Sequence, residues 1–206
     1  MMRAMRVALL LACSTLFACV GDETVAALKS DAGPSTTGDA GDAGTDAGGL
    51  PATKLVFVAS QPQSASQLKD LAQVCTTDLN RHRKGSAFAW AQDKDGKSPV
   101  DRLGAYAGPW TLPSGKVVFA TKADITGGAG AATPINETLE GTVVTDGHVW
   151  TALEKTGTPK PNNCRGWDDK LSATTGSTIG VAGLAWADDG TILPCKDTNR
   201  TICFEN

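Results

Sequence analysis

Two pairs of adjacent acids, Asp168-Asp169 and Asp188-Asp189, are the side chains in this sequence best suited to acid–base chemistry. Two carboxylates flanking a glycosidic bond can serve as acid and as base or nucleophile. Both pairs sit among turn-forming residues, where neighbouring carboxylates are ordinarily solvated surface, so neither pair is assigned a catalytic role. His82 and His148 are the only imidazoles. His148 follows Asp146-Gly147, a hairpin-type turn, and is expected to face solvent. No nucleophile elbow, paired-histidine metal motif or phosphate loop is present. A second group, Asn162, Asn163, Asp188 and Asp189 with the ring of Trp186, offers amide and carboxylate oxygens suited to lining a polar ligand pocket. Beside Pro161 and Gly190 these residues are equally natural turn-formers.

The clearest chemistry lies at the start of the chain. Arg3 and Arg6 precede an apolar run from Val7 to Ala12, and small residues lead to Cys19. That order predicts a secretory signal peptide over residues 1–18. The run is too short for the roughly 20 apolar residues of a spanning helix, and Ser14 and Thr15 break it. Leu16-Phe17-Ala18-Cys19 resembles a bacterial lipobox, although Phe17 is bulkier than usual there; the competing Leu10-Leu11-Ala12-Cys13 leaves too short a hydrophobic core. Cys19 is therefore the expected lipidation site, anchoring the chain to a membrane of the bacterial cell envelope and exposing it to the periplasm or cell surface. Several acyl chains on one residue make a firm anchor, whereas one gives only marginal binding.

Export implies an oxidising compartment. Of six cysteines, Cys75, Cys164, Cys195 and Cys203 fall beyond the signal and lipidation segment. Four is even, so two disulfides are the default, with three pairings open. The spacings are too wide for a zinc site or a redox-active C-x-x-C pair.

Residues 20–53 hold six acids against Lys29, and the triplet Asp-Ala-Gly recurs four times there. The segment cannot bury a core and reads as a flexible tether over residues 19–53, counting the lipidated cysteine. The remainder balances sixteen acids with sixteen bases, and no basic footprint for nucleic acid exists. Arg81-His82-Arg83-Lys84, the one basic cluster, follows a predicted helix, where cations favour the C-terminus.

The domain expected over residues 54–206 begins with an apolar, β-rich run from Lys54. A helix over 64–80 follows, with Leu68, Leu71, Ala72, Cys75 and Leu79 on one face and Ser64 with Gln67 as a capping box. Short strands are predicted over 87–91, 116–120, 149–153 and 201–204, and Ser98-Pro99 starts a helical turn. Five tryptophans in so loop-rich a chain are expected to plug the core. The fold class is α+β, with short antiparallel strands and one main helix.

The order of these pieces resembles a C-type lectin-like domain. Trp186, Asp188-Asp189, Cys195 and Ile202-Cys203-Phe204-Glu205 are similar to the ending of that fold. More narrowly, the chain resembles a bacterial lipoprotein domain family of unknown function related to the endostatin-like branch. Val56-Phe57-Val58, Ala87-Phe88-Ala89-Trp90, Pro134-Ile135-Asn136, Val149-Trp150-Thr151 and Cys164-Arg165-Gly166-Trp167 carry that likeness. The resemblance implies disulfides Cys75–Cys203 and Cys164–Cys195. Many such lectins hold sugar through calcium, using an acid- or amide-bearing triplet; here the counterpart is Lys160-Pro161-Asn162-Asn163, and Lys160 disrupts the site, so no cofactor is expected. The expected function is binding of an extracellular glycan or protein through the loops between Gly127 and Leu193. The alternative is an envelope-assembly lipoprotein that docks on a protein without sugar recognition.

Overall fold

The computed structural model describes residues 53–206; the expected signal peptide, Cys19 and the tether up to residue 52 lie outside the described residues. In chain order the strands are β1 (Lys54–Val58), β2 (Gln63–Ser64), β3 (Ala87–Ala89), β4 (Trp110–Thr111), β5 (Val117–Phe119), β6 (His148–Trp150), β7 (Ala173–Thr178), β8 (Thr191–Pro194), β9 (Thr198–Asn199) and β10 (Ile202–Glu205). Helix α1 spans Leu71–Leu79 between β2 and β3, and α2 spans Lys122–Ile125 after β5. The architecture is mixed α+β, dominated by short strands.

The central sheet runs β3-β10-β1-β4-β5, with β10 antiparallel to both β1 and β3. Successive side chains leave a strand on opposite faces, and here both faces are apolar. Val56, Val58, Phe88, Trp90, Ile202 and Phe204 pack on one side into an aromatic core with Trp110, Phe119 and Trp186. Phe57, Ala87, Ala89 and Cys203 point the other way, onto Leu68, Leu71, Cys75 and Leu79 of the helical region. Small Ala87 and Ala89 let α1 approach the sheet. The Thr76 hydroxyl then locks the two together, donating to the Ala87 carbonyl (2.9 Å) and accepting from the Ala87 amide (3.0 Å). All five tryptophans are buried.

The helix expected over 64–80 is two elements. A 3-10 turn, Ala65–Lys69, precedes α1, and Asp70 breaks them apart with φ −114° and ψ 96°. Its carboxylate accepts from the Ala72 and Gln73 amides at 3.0 and 3.2 Å, so Asp70 acts as an N-cap. Gln67 Oε1 accepts from the Ser64 amide (2.7 Å), giving the expected side-chain-to-backbone half of a capping box. Ser98 caps the turn Pro99–Leu103.

The loop half contains a second sheet, β6-β7-β8, whose middle strand was not expected. β7 reads Ala-Thr-Thr-Gly-Ser-Thr, without apolar alternation. A Cβ at Gly176 would lie 2.2 Å from the Val149 carbonyl oxygen and 2.4 Å from Leu193 Cδ1, so glycine is what lets β6 and β8 close on β7.

The disulfides join Cys75 of α1 to Cys203 of β10, and Cys164 to Cys195 across the loop half. With sequence separations of 128 and 31 residues, loop-closure entropy predicts about 5 and about 3.7 kcal/mol of stabilisation. Denaturant unfolding of Cys75→Ala/Cys203→Ala and of Cys164→Ala/Cys195→Ala is expected to show the larger loss in the first. The reverse order would contradict this ranking.

Candidate functional site

Most of the loop residues singled out from sequence are engaged in holding the loops. Cys164–Trp167 forms one tight turn in which all four residues have positive φ, from 51° to 72°. Left-handed backbone costs a non-glycine residue about 1–2 kcal/mol, and only Gly166 escapes that cost. Several bonds hold the turn. Asn163 Oδ1 accepts from the Gly166 amide (2.9 Å) while Asn163 Nδ2 donates to the Asp93 carbonyl (3.0 Å). Trp167 Nε1 donates to the Gln92 carbonyl (2.8 Å), and the Cys164–Cys195 bridge ties the turn to the stretch after β8. Asn163 is thus a buried structural cap. Asn162 is exposed, and its carbonyl accepts from the Thr174 hydroxyl.

Trp186 is a correction to the expected ligand set. Its side chain is 2% exposed and packs against Trp90 and Phe119 at ring-centroid distances of 5.2 and 5.0 Å, leaving no ring face for a ligand. Asp188 is also buried. Its Oδ2 pairs with Lys160 Nζ at 2.6 Å and its Oδ1 accepts from the Gly190 amide at 3.2 Å. Asp189 is exposed and accepts from the Thr178 and Thr191 amides, each at 2.9 Å. Partial burial raises its pKa, but the hydrogen bonds from Thr191 and Thr178 outweigh that and hold the carboxyl at about 2. Calcium requires six to eight oxygen ligands. An ammonium stands against Asp188, and the Asn163 amide bonds to the Asp93 carbonyl and the Gly166 amide.

Other groups with chemical potential are likewise paired. Ser60 Oγ donates to Glu140 Oε2 (2.7 Å) and to Asp78 Oδ2 (3.1 Å), and His82 Nε2 meets Glu140 Oε1 at 3.2 Å. The carboxylate stands between hydroxyl and imidazole, so the histidine is not placed to take the Ser60 proton. The Ser60 bond, opposed by burial and aided by further hydrogen bonds, holds Glu140 at about 2. The basic run is offset by acids: Arg81 meets Asp78, His82 meets Glu140 and Arg83 meets Glu205. Asp168 pairs with Lys69, and Asp169 accepts from the Leu171 amide. His148 is half-buried at the start of β6, where its carbonyl accepts from the Arg200 amide at 3.0 Å; the expectation that it faces solvent fails because β6 begins at that residue.

The open cavity lies elsewhere. A groove of about 550 Å³ runs between α1 and the segment joining β1 to β2. Its polar lining includes Gln61, Ser66, Gln67, Gln73 and Thr77. Sequence reasoning missed these residues because exposed polar side chains on an amphipathic helix read as solvated surface. The only available signal was the density of glutamine between residues 61 and 73.

The groove wall is fixed from behind. Asp78 Oδ2 accepts from the Ser60 amide (2.8 Å). Arg200 Nη1 donates to the Ala59 and Ser60 carbonyls (2.7 and 2.6 Å), and Trp150 Nε1 donates to the Gln63 carbonyl (2.9 Å).

Comparison with models of known protein families and with curated proteins yields no match.

Lys160→Met leaves the Asp188 carboxylate, 8% exposed, without its cation. The expected loss is about 1–3 kcal/mol in denaturant unfolding, partly recovered when Asp188→Asn is added. A Lys160→Met protein as stable as the wild type would show that the pair does not hold the loops.

Proposed function

We propose that this chain is a lipid-anchored, extracytoplasmic binding module with a C-type lectin-like fold that recognises a glycan or protein without calcium. One observation carries the fold reading: the first helix is joined to the last strand through Cys75–Cys203, and a second disulfide closes the loop half that lies between them in sequence. The order of opening strand, cysteine-bearing helix, loop-rich middle and cysteine-bearing final strand agrees with it. Fold alone does not fix function. The binding reading rests on an open polar groove, walls clamped by hydrogen bonds to Asp78, Arg200 and Trp150, and carboxylates engaged in turns rather than poised as a catalytic pair.

The Lys160 ammonium supports calcium independence, since it occupies the side of Asp188 where a cation would otherwise sit. Lipid attachment at Cys19 rests on the lipobox-like sequence before it. Among the described residues no helix is long and apolar enough to cross a membrane.

The full chain, purified from membranes in detergent, is tested on a glycan array with calcium and with chelator. Specific binding that is indifferent to chelator is expected. Binding abolished by chelator would overturn the calcium-free reading, and a blank array would overturn glycan recognition. In parallel, incorporation of an alkyne-bearing palmitate is expected in the wild-type chain and not in Cys19→Ala. Equal labelling of both would overturn lipidation at Cys19.

A further inference from the structure

We infer that the groove beside α1 is the ligand site and that its ligand is a neutral oligosaccharide. This deepens the binding-module reading and rests on it, but places recognition at the helix rather than in the loops between Gly127 and Leu193.

The volume, about 550 Å³, falls within the roughly 300–1,000 Å³ of small-ligand sites. The charges at its edge cancel and are already partnered. Lys69 meets Asp168 at 2.8 Å, Arg81 meets Asp78 at 3.3 Å, and Asp70 caps α1. The groove thus offers no unopposed charge to attract an anion or a cation. What remains is neutral hydrogen-bonding capacity: the side chains of Gln61, Gln73 and Thr77 are exposed and make no hydrogen bond within the described residues. Each primary amide presents both donors and an acceptor, and each hydroxyl presents both. A saccharide hydroxyl has the same dual character, so one ring can satisfy several of these groups at once.

Exposed Pro62 and half-buried Val74 supply an apolar strip beside them, suited to the C–H face of a sugar ring. Ser66 also lines a second cavity of about 150 Å³, whose charged residues Asp168, Asp169, Lys170 and Lys196 are two of each sign. The two depressions are neighbours at the 3-10 turn, which favours a ligand of several linked units over a monosaccharide. The bonds that Arg200 and Trp150 donate to the Ala59 and Gln63 carbonyls, and that the Ser60 amide donates to Asp78, keep the wall in place before the ligand arrives, reducing the ordering that binding requires.

The test titrates the full chain in detergent with three neutral tetrasaccharides, built from glucose, N-acetylglucosamine and mannose, and with tetra-alanine as a peptide of similar size. At least one tetrasaccharide is expected to bind. Gln73→Ala/Thr77→Ala should weaken it about tenfold or more while leaving the melting temperature unchanged, because neither side chain bonds to the protein. Tetrasaccharide binding untouched by that variant would overturn the groove assignment and leave the module reading standing. Tetra-alanine binding lost in the variant, with no tetrasaccharide bound, would overturn the saccharide class. Failure of all four probes, with the array of the preceding section positive for charged glycans, would overturn neutrality; with that array blank, the saccharide class falls and the module reading keeps only its protein ligand.

Discussion

The Cys75–Cys203 bridge is the constraint on which the remaining structure depends. It fastens the buried face of α1 to β10, the strand flanked by β1 and β3, and so connects sequence-distant ends of the domain through one covalent link. Strands of two to six residues cannot hold themselves together, because short pairings bury too little surface to offset the ordering of the backbone. With helix and final strand joined, Val56, Phe57, Phe88 and Phe204 can pack on both faces of the sheet. Their burial then fixes β1 and β3 as well. A buried Asp78 on the same helix extends the order outward to Ser60, so the groove wall inherits its position from the core.

In the loop half the same logic works through polar bonds. The left-handed turn at Cys164–Trp167 is unfavourable on its own and is maintained by Asn163, the Trp167 indole and the second disulfide. Lys160 reaches Asp188 across a span of 28 residues, and Asp189 accepts two backbone amides. These oxygen atoms are part of the loop framework. Asp188, Asp189 and Asn163 thus serve the architecture of the loops. In the groove at α1, by contrast, the outward Gln61 and Gln73 amides play no part in the framework.

Legibility from sequence followed the apolar pattern. β1, β3, β5 and β10 each carry consecutive apolar residues and were found to within a few positions, as was the buried placement of Cys75. Asp70 defeated the single-helix reading: an acid inside a helical period can be a surface residue or a cap, and only the backbone break distinguishes them. β7 left no trace because threonine, serine and glycine form a strand there through close packing at Gly176 rather than through an apolar face. Trp186 carried two meanings, ligand stacker or core plug, and the aromatic cluster with Trp90 and Phe119 decides it. The groove was invisible because it exists only between two segments, and nothing in the residues 59–63 taken alone indicates that Arg200 and Trp150 will hold them against α1.

The covalent frame is the central claim, and disulfide mapping of the full chain tests it most directly. Digestion without reduction, followed by mass spectrometry, is predicted to release one peptide pair joining Cys75 to Cys203 and another joining Cys164 to Cys195. Recovery of Cys75 linked to Cys164 or Cys195 would contradict the account, since α1 would then be fastened to the loops and neither the central sheet nor the groove beside the helix would stand as described.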